Sequence, residues 1–89
     1  MKSVITKSFR DLLSQLPIDI QEKANDAYLQ FQQNVNHPSL RFKKVHSSLP
    51  IYSVRITKNY RAVGQLDEDV VIWFWVGSHR EYEKLLSQL

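Results

Sequence analysis

An α+β domain is what this sequence predicts: two N-terminal helices laid on one face of a mainly antiparallel four-stranded sheet, with a short C-terminal helix. Three observations carry the prediction. Apolar residues repeat at helical spacing through residues 9–35, they alternate with period two between residues 40 and 77, and helical spacing returns after residue 80. No repeat, low-complexity tract or linker divides the 89 residues, which make one domain, 1–89, with a modest core.

The elements follow in order. Phe9, Leu12, Leu13 and Leu16 fall at i, i+3, i+4 and i+7, one stripe of an amphipathic helix that Pro17 ends. A second helix is predicted over about 19–35, with Ile20, Ala24, Ala27, Tyr28, Phe31 and Val35 on its apolar side. Asn36 and Pro38 stop it. Strands are predicted at 40–45, 52–57, 60–66 and 70–77, joined by short polar turns. Ser78 is a candidate N-cap for the last helix, and Glu81 three residues later completes a capping box. Tyr82, Leu85 and Leu86 then mark that helix's apolar side.

Charge is segregated along the chain. The first 36 residues carry four bases and four acids, so the formal +3 arises entirely from the remainder. No acid occurs between Asp26 and Asp67, and that gap holds Arg41, Lys43, Lys44, Arg55, Lys58 and Arg61. Cations gathered without counter-ions repel one another and raise the energy of the fold, which points to an anionic partner, a polyphosphate or an acidic protein segment. The chain has no cysteine, which excludes disulfides and thiolate chemistry and fits a reducing cytosol. Its start is interrupted by Lys7, Arg10 and Asp11 and offers no run for a signal peptide. No segment approaches the ~20 apolar residues that span a bilayer. The expectation is a soluble, cytoplasmic protein with no membrane partner.

Turn length decides which side chains share a sheet face. With three-residue loops at 57–59 and 67–69, Val54 and Ile56 pair with Ala62 and Tyr60. Gly64 and Leu66 then pair with Ile72 and Val70, and Ala62 with Phe74, an apolar face suited to lie under two helices. Asn59 is expected to take the left-handed position of its loop. The other face then sets Arg55 against Arg61 and Arg61 against Trp75, with Trp73, Gly77 and His79 on the same side. Like charges directly across a ladder are destabilising. Beside indole rings they suit phosphates and unstacked bases, because guanidinium binds phosphate bidentately and rings stack on bases. Taken singly, each of these residues also has a plain structural reading, as a surface arginine or a second hydrophobic patch.

Metal binding is not expected, since His37, His46 and His79 lack ligand-like spacing. No Ser-His-Asp set, glycine-rich phosphate loop or carboxylate pair is present either. His79 reads either as a loop residue at a strand end or as a general acid or base, because imidazole titrates near neutrality. Tyr82, three residues on, projects to the same side and reads either as core or as a second proton-transfer group. Bases, a histidine and a tyrosine suit metal-free RNA cleavage, in which the substrate's own 2′-hydroxyl attacks the adjacent phosphate. No cofactor is required.

In HPSLRFKKV, YSVRITKNYRAV and the ending VGSHREY, the chain resembles the RelE/ParE toxin superfamily of bacterial type II toxin–antitoxin systems over nearly its whole length. The resemblance implies two helices on a curved sheet and a cognate acidic antitoxin encoded alongside. In the RelE branch it further implies an mRNA interferase that cuts mRNA on the ribosome and so inhibits translation. It gives Arg61 the role of contacting the scissile phosphate and places Arg55 at the second of two basic positions in the preceding strand, the first being Ser53 here. His79 stands near a family arginine or histidine, and Tyr82 near a C-terminal tyrosine. Arg55, Arg61, His79 and Tyr82 are therefore the candidate catalytic residues. Arg41, Lys43, Lys44, Lys58 and Trp75 are the candidate RNA contacts. Two alternatives stand beside this reading, a non-enzymatic gyrase inhibitor like the ParE branch and an attenuated module that only binds an antitoxin.

Overall fold

Thr6 turns the chain from its first strand into its first helix. The computed structural model describes all residues, Met1–Leu89. Strand β1 (Lys2–Ile5) leads to α1 (Lys7–Ser14), whose N-cap Thr6 accepts from the Phe9 amide at 3.2 Å and donates to the Trp73 carbonyl at 3.0 Å. Pro17 then caps α2 (Ile18–Gln33), its fixed φ ideal for a helix entry and its carbonyl accepting from the Ile20 and Gln21 amides. Strand β2 (Lys43–Lys44), β3 (Ile51–Thr57), β4 (Tyr60–Asp67), β5 (Val70–Ser78) and α3 (His79–Gln88) follow. The α+β class is as predicted.

The sheet has five strands, not four, in the order β1-β5-β4-β3-β2. The missed strand, β1, runs parallel to β5, with Val4 opposite Ile72. The predicted strand 40–45 pairs only at Lys43 and Lys44. Arg41 sits at φ 48°, and this left-handed residue breaks the ladder just after the Leu40 carbonyl has taken the Arg55 amide at 2.7 Å.

Both α1 and α2 cover one face. Phe9, Phe31, Leu40, Val54, Ala62, Val71, Trp73 and Val76 are buried together there. Phe31, 1% exposed, meets Trp73 and Phe42 edge-on at 5.4 and 5.1 Å. The other face is not open throughout. Helix α3 covers part of it, burying its Tyr82 with Ile51 and Val63 and packing Leu85 and Leu86 beside Trp75.

Two bulges correct the predicted register. Arg55 opposes Arg61 as expected, but Thr57 then opposes Tyr60, so the loop is two residues and Ile56 has no partner. Between β4 and β5 the expected pairs shift: Gly64 opposes Trp73 and Val63 opposes Trp75, with Phe74 the extra residue. The bulge sends Trp73 to the helix face, 3% exposed, against the expectation that it shares the arginine face. A methyl at Gly64 would stand 2.8 Å from its ring, so only glycine admits it. Asn59 does not take the left-handed conformation; Arg41 and Glu68 do. No helix is long and apolar enough to cross a membrane.

Candidate nucleic-acid interface

The β3–β4 hairpin carries the center of the site. Cross-strand partners project to one side, so Arg55 and Arg61 stand together on the face away from α1 and α2. Arg61 is held from below. Its Nη1 donates to the carbonyls of Thr57, Tyr60 and Lys58 at 2.7, 3.0 and 3.2 Å. One edge of the guanidinium thus closes the turn, and the opposite edge makes no hydrogen bond within the protein. Its pKa lies below the ordinary guanidinium value, first through burial, then through the charge of Arg55 and least through that of Arg41, with Tyr82 opposing by more than Arg41 adds. Neither of the molecule's two ion pairs involves Arg41, Arg55 or Arg61.

The residue opposite Arg61 is Gly77, not Trp75 as predicted. The indole nevertheless reaches this position, because a methyl on Gly77 would stand 2.7 Å from the Trp75 ring. Trp75 therefore folds back along β5 over the glycine that faces the arginine.

His79 opens α3 immediately after β5. Its amide donates to the Asn59 carbonyl at 2.7 Å, so the turn that clamps Arg61 also anchors the helix start. Ser78 caps that start as predicted, accepting from the Glu81 amide at 3.2 Å and donating to its carboxylate at 3.1 Å. The His79 side chain is 42% exposed, and Glu83 Oε1 lies 3.3 Å from its Nδ1, leaving Nε2 directed elsewhere. Glu83 was not singled out in the sequence, although its i+4 spacing from His79 was the available signal.

Tyr82 takes the structural course. It is 7% exposed, and its hydroxyl donates to the buried Ser53 Oγ at 3.2 Å beneath α3. Its ring lies 5.8 Å from that of His79, tilted by 57°. Lys43 and Lys44 form the exposed outer strand, and Lys58 is exposed at the hairpin turn. His46 organises the 46–49 turn, its Nδ1 accepting from the Ser48 and Leu49 amides, while His37 Nδ1 pairs with Ser39. No three His, Asp or Glu side chains converge as metal ligands would.

Arg55 also borders open space at the strand edge. It lines an open cleft of about 540 Å³ at the β3 edge, with Lys23, Pro38, Ser39, Arg41, Ile56 and Thr57. An adjoining space of about 210 Å³ adds Asp26, Ala27, Gln30 and Leu40. Lys23 could not be found from the sequence, since it lies in the charge-balanced N-terminal segment and reaches the arginines only through the fold.

A family model described as the ParE-like toxin domain matches residues 19–84. No curated protein matches the chain in sequence. Among solved structures, a chain of the RelB–RelE antitoxin–toxin complex from Methanococcus jannaschii is similar at 19% identity and TM-score 0.74, covering 92% of this chain and 96% of that one. The toxin–antitoxin complex RelBE2 from Mycobacterium tuberculosis gives 17% identity, TM-score 0.70 and coverages of 88% and 96%. The YoeB/ParE toxin from Agrobacterium tumefaciens gives 20%, 0.68, 89% and 99%. At these identities the likeness to the solved chains is one of fold.

Proposed function

We propose that this chain, which belongs to the ParE-like toxin domain family and with it to the RelE/ParE superfamily, is the toxin of a type II toxin–antitoxin pair that cleaves messenger RNA on the ribosome. The observation that carries the reading is the uncompensated pair Arg55–Arg61 with His79 anchored to the same turn. In the proposed reaction a 2′-hydroxyl oxygen attacks the adjacent phosphorus, the bond to that oxygen forms, and the bond to the 5′ oxygen breaks. Arg61 and Arg55 stabilise the charge that builds on the phosphate oxygens, where one such donor contributes about 3–4 kcal/mol. Protonated His79 gives its Nε2 proton to the leaving 5′ oxygen, with Glu83 holding the Nδ1 side. The 2′-hydroxyl proton passes to solvent water. Tyr82 has its hydroxyl committed to Ser53, so its part is to position His79 rather than to move a proton. Trp75 offers a stacking surface, and Arg41, Lys43, Lys44 and Lys58 the phosphate contacts of mRNA and ribosomal RNA.

An acidic antitoxin is the proposed inhibitor, in keeping with the antitoxin complexes formed by the relatives from M. jannaschii and M. tuberculosis. A second reading, a non-enzymatic gyrase poison, is favoured by one observation: burial of the Tyr82 hydroxyl leaves His79 as the sole candidate for proton transfer. Induced expression followed by mapping of mRNA 5′ ends separates the two. Wild type should create new ends within coding sequences, and Arg61→Ala or His79→Ala should reduce them at least ~100-fold. Growth arrest with intact mRNA and trapped gyrase–DNA breaks would replace cleavage with the gyrase reading.

A further inference from the structure

We infer that the cleft between α2, the 38–41 loop and the β3 edge is a second phosphate subsite, which holds the backbone of the RNA strand next to the reacting phosphate through Lys23, Arg41 and Arg55. The inference rests on the RNA reading of the Arg55–Arg61 site and extends it by one station. Three of the seven residues around the larger cleft are cations and none is an acid. None of the three enters either ion pair of the molecule. Arg55 joins the two stations, since it stands opposite Arg61 in the ladder and also borders the cleft. Arg41 is set there by a backbone that few non-glycine residues adopt, φ 48°, with the flanking Leu40 buried at 1% exposure and tied to the Arg55 amide.

The occupant follows from what the walls offer. A protein segment docks through apolar anchors in pockets, yet Ile56 is the one hydrophobic wall of the larger cleft. No aromatic ring faces it, so there is nothing on which a base could stack or be read. Three cations around a concavity of nucleotide size suit a phosphodiester backbone, bound without regard to sequence.

The test uses the full-length chain and a 2′-O-methyl single-stranded RNA, which cannot be cleaved, with affinity followed by fluorescence anisotropy across a salt series. Lys23→Gln should weaken binding several-fold for uridine-rich and adenosine-rich strands alike, and should flatten the slope of log K against log salt by about 0.7, the loss of one phosphate contact. Lys7→Gln, which removes the same charge from the Lys7–Asp11 pair on α1, should leave the slope unchanged. Thermal unfolding of both variants checks that the fold is kept. A Lys23→Gln slope equal to wild type overturns the subsite, as does RNA that fails to bind at all, or a Lys23 effect seen only with an acidic peptide. Failure of ribosomal cleavage with the Lys23 slope change intact would remove the nuclease reading and leave the subsite standing.

Discussion

On the RNA reading proposed above, Arg61 does two jobs with one guanidinium, and only arginine could do both. Three carbonyls of the β3–β4 turn take up Nη1, so the side chain is pinned before any ligand arrives. A lysine has no second edge to present once its ammonium has capped the turn. Tyr82 illustrates the opposite outcome, a candidate reagent absorbed by the core. Its hydroxyl and that of Ser53 satisfy each other in a buried site, 7% and 2% exposed. Tyr82→Phe strands the serine hydroxyl without a partner, which costs about 1–2 kcal/mol. Urea unfolding should show that loss, and Ser53→Ala in the same chain should recover most of it, because both partners are then apolar. Growth arrest on expression should persist in Tyr82→Phe. Loss of arrest in a variant that is still folded at growth temperature would instead return the tyrosine to the chemistry.

At the scale of elements, what the sequence made legible was set by local pattern, and what it hid was set by irregularity. The stripes Phe9–Leu16 and Ile20–Phe31 and the Ser78–Glu81 capping box declare themselves through spacing alone. Arg55 opposite Arg61 was legible because the bulge at Ile56 and a shorter turn offset one another. The bulge at Phe74 has no such offset, and nothing in VVIWFWVG distinguishes a regular strand from one with an extra residue. Trp73 accordingly changes face. Strand β1 escaped notice because four residues, KSVI, owe their strand state to a parallel neighbour 68 positions away, Lys2 opposite Val70. The cleft around Lys23 escaped for the same reason, being assembled from α2, a loop and a strand edge. The β4–β5 turn yields a prediction at this scale. Glu68 is held at φ 55°, where a side chain costs roughly 1–2 kcal/mol and glycine almost nothing. Glycine's greater freedom in the unfolded chain takes back part of that. Glu68→Gly should therefore raise the unfolding free energy by about 0.5–1 kcal/mol in a urea titration, without touching the arginine face.

For the molecule as a whole, burial and the charge of Arg55 oppose the charged form of Arg61. The folded-state pKa of Arg61 lies below its unfolded value, so folding penalises the charged form. That penalty is complete below the folded value and fades only as pH rises toward the unfolded one, in the strongly alkaline range. Across the neutral range this penalty on the charge of Arg61 is thus constant, and no ordinary change of pH relieves it. A multivalent anion can relieve it, by pairing with Arg61 and Arg55 in the fold and with nothing of equal geometry in the unfolded chain. Millimolar pyrophosphate, too dilute to act as a general salting-out agent, should therefore raise the thermal midpoint at constant ionic strength and constant pH. At ten times its dissociation constant the stabilisation is about 1.4 kcal/mol, or roughly 6–11 °C for a domain of this length. Arg55→Gln should start slightly more stable than wild type in plain buffer, since it removes a like-charge neighbour across the ladder, and should lose most of the pyrophosphate response. If Arg55→Gln keeps the full response, or wild type shows none beyond that given by chloride at matched ionic strength, the two arginines do not form an anion site.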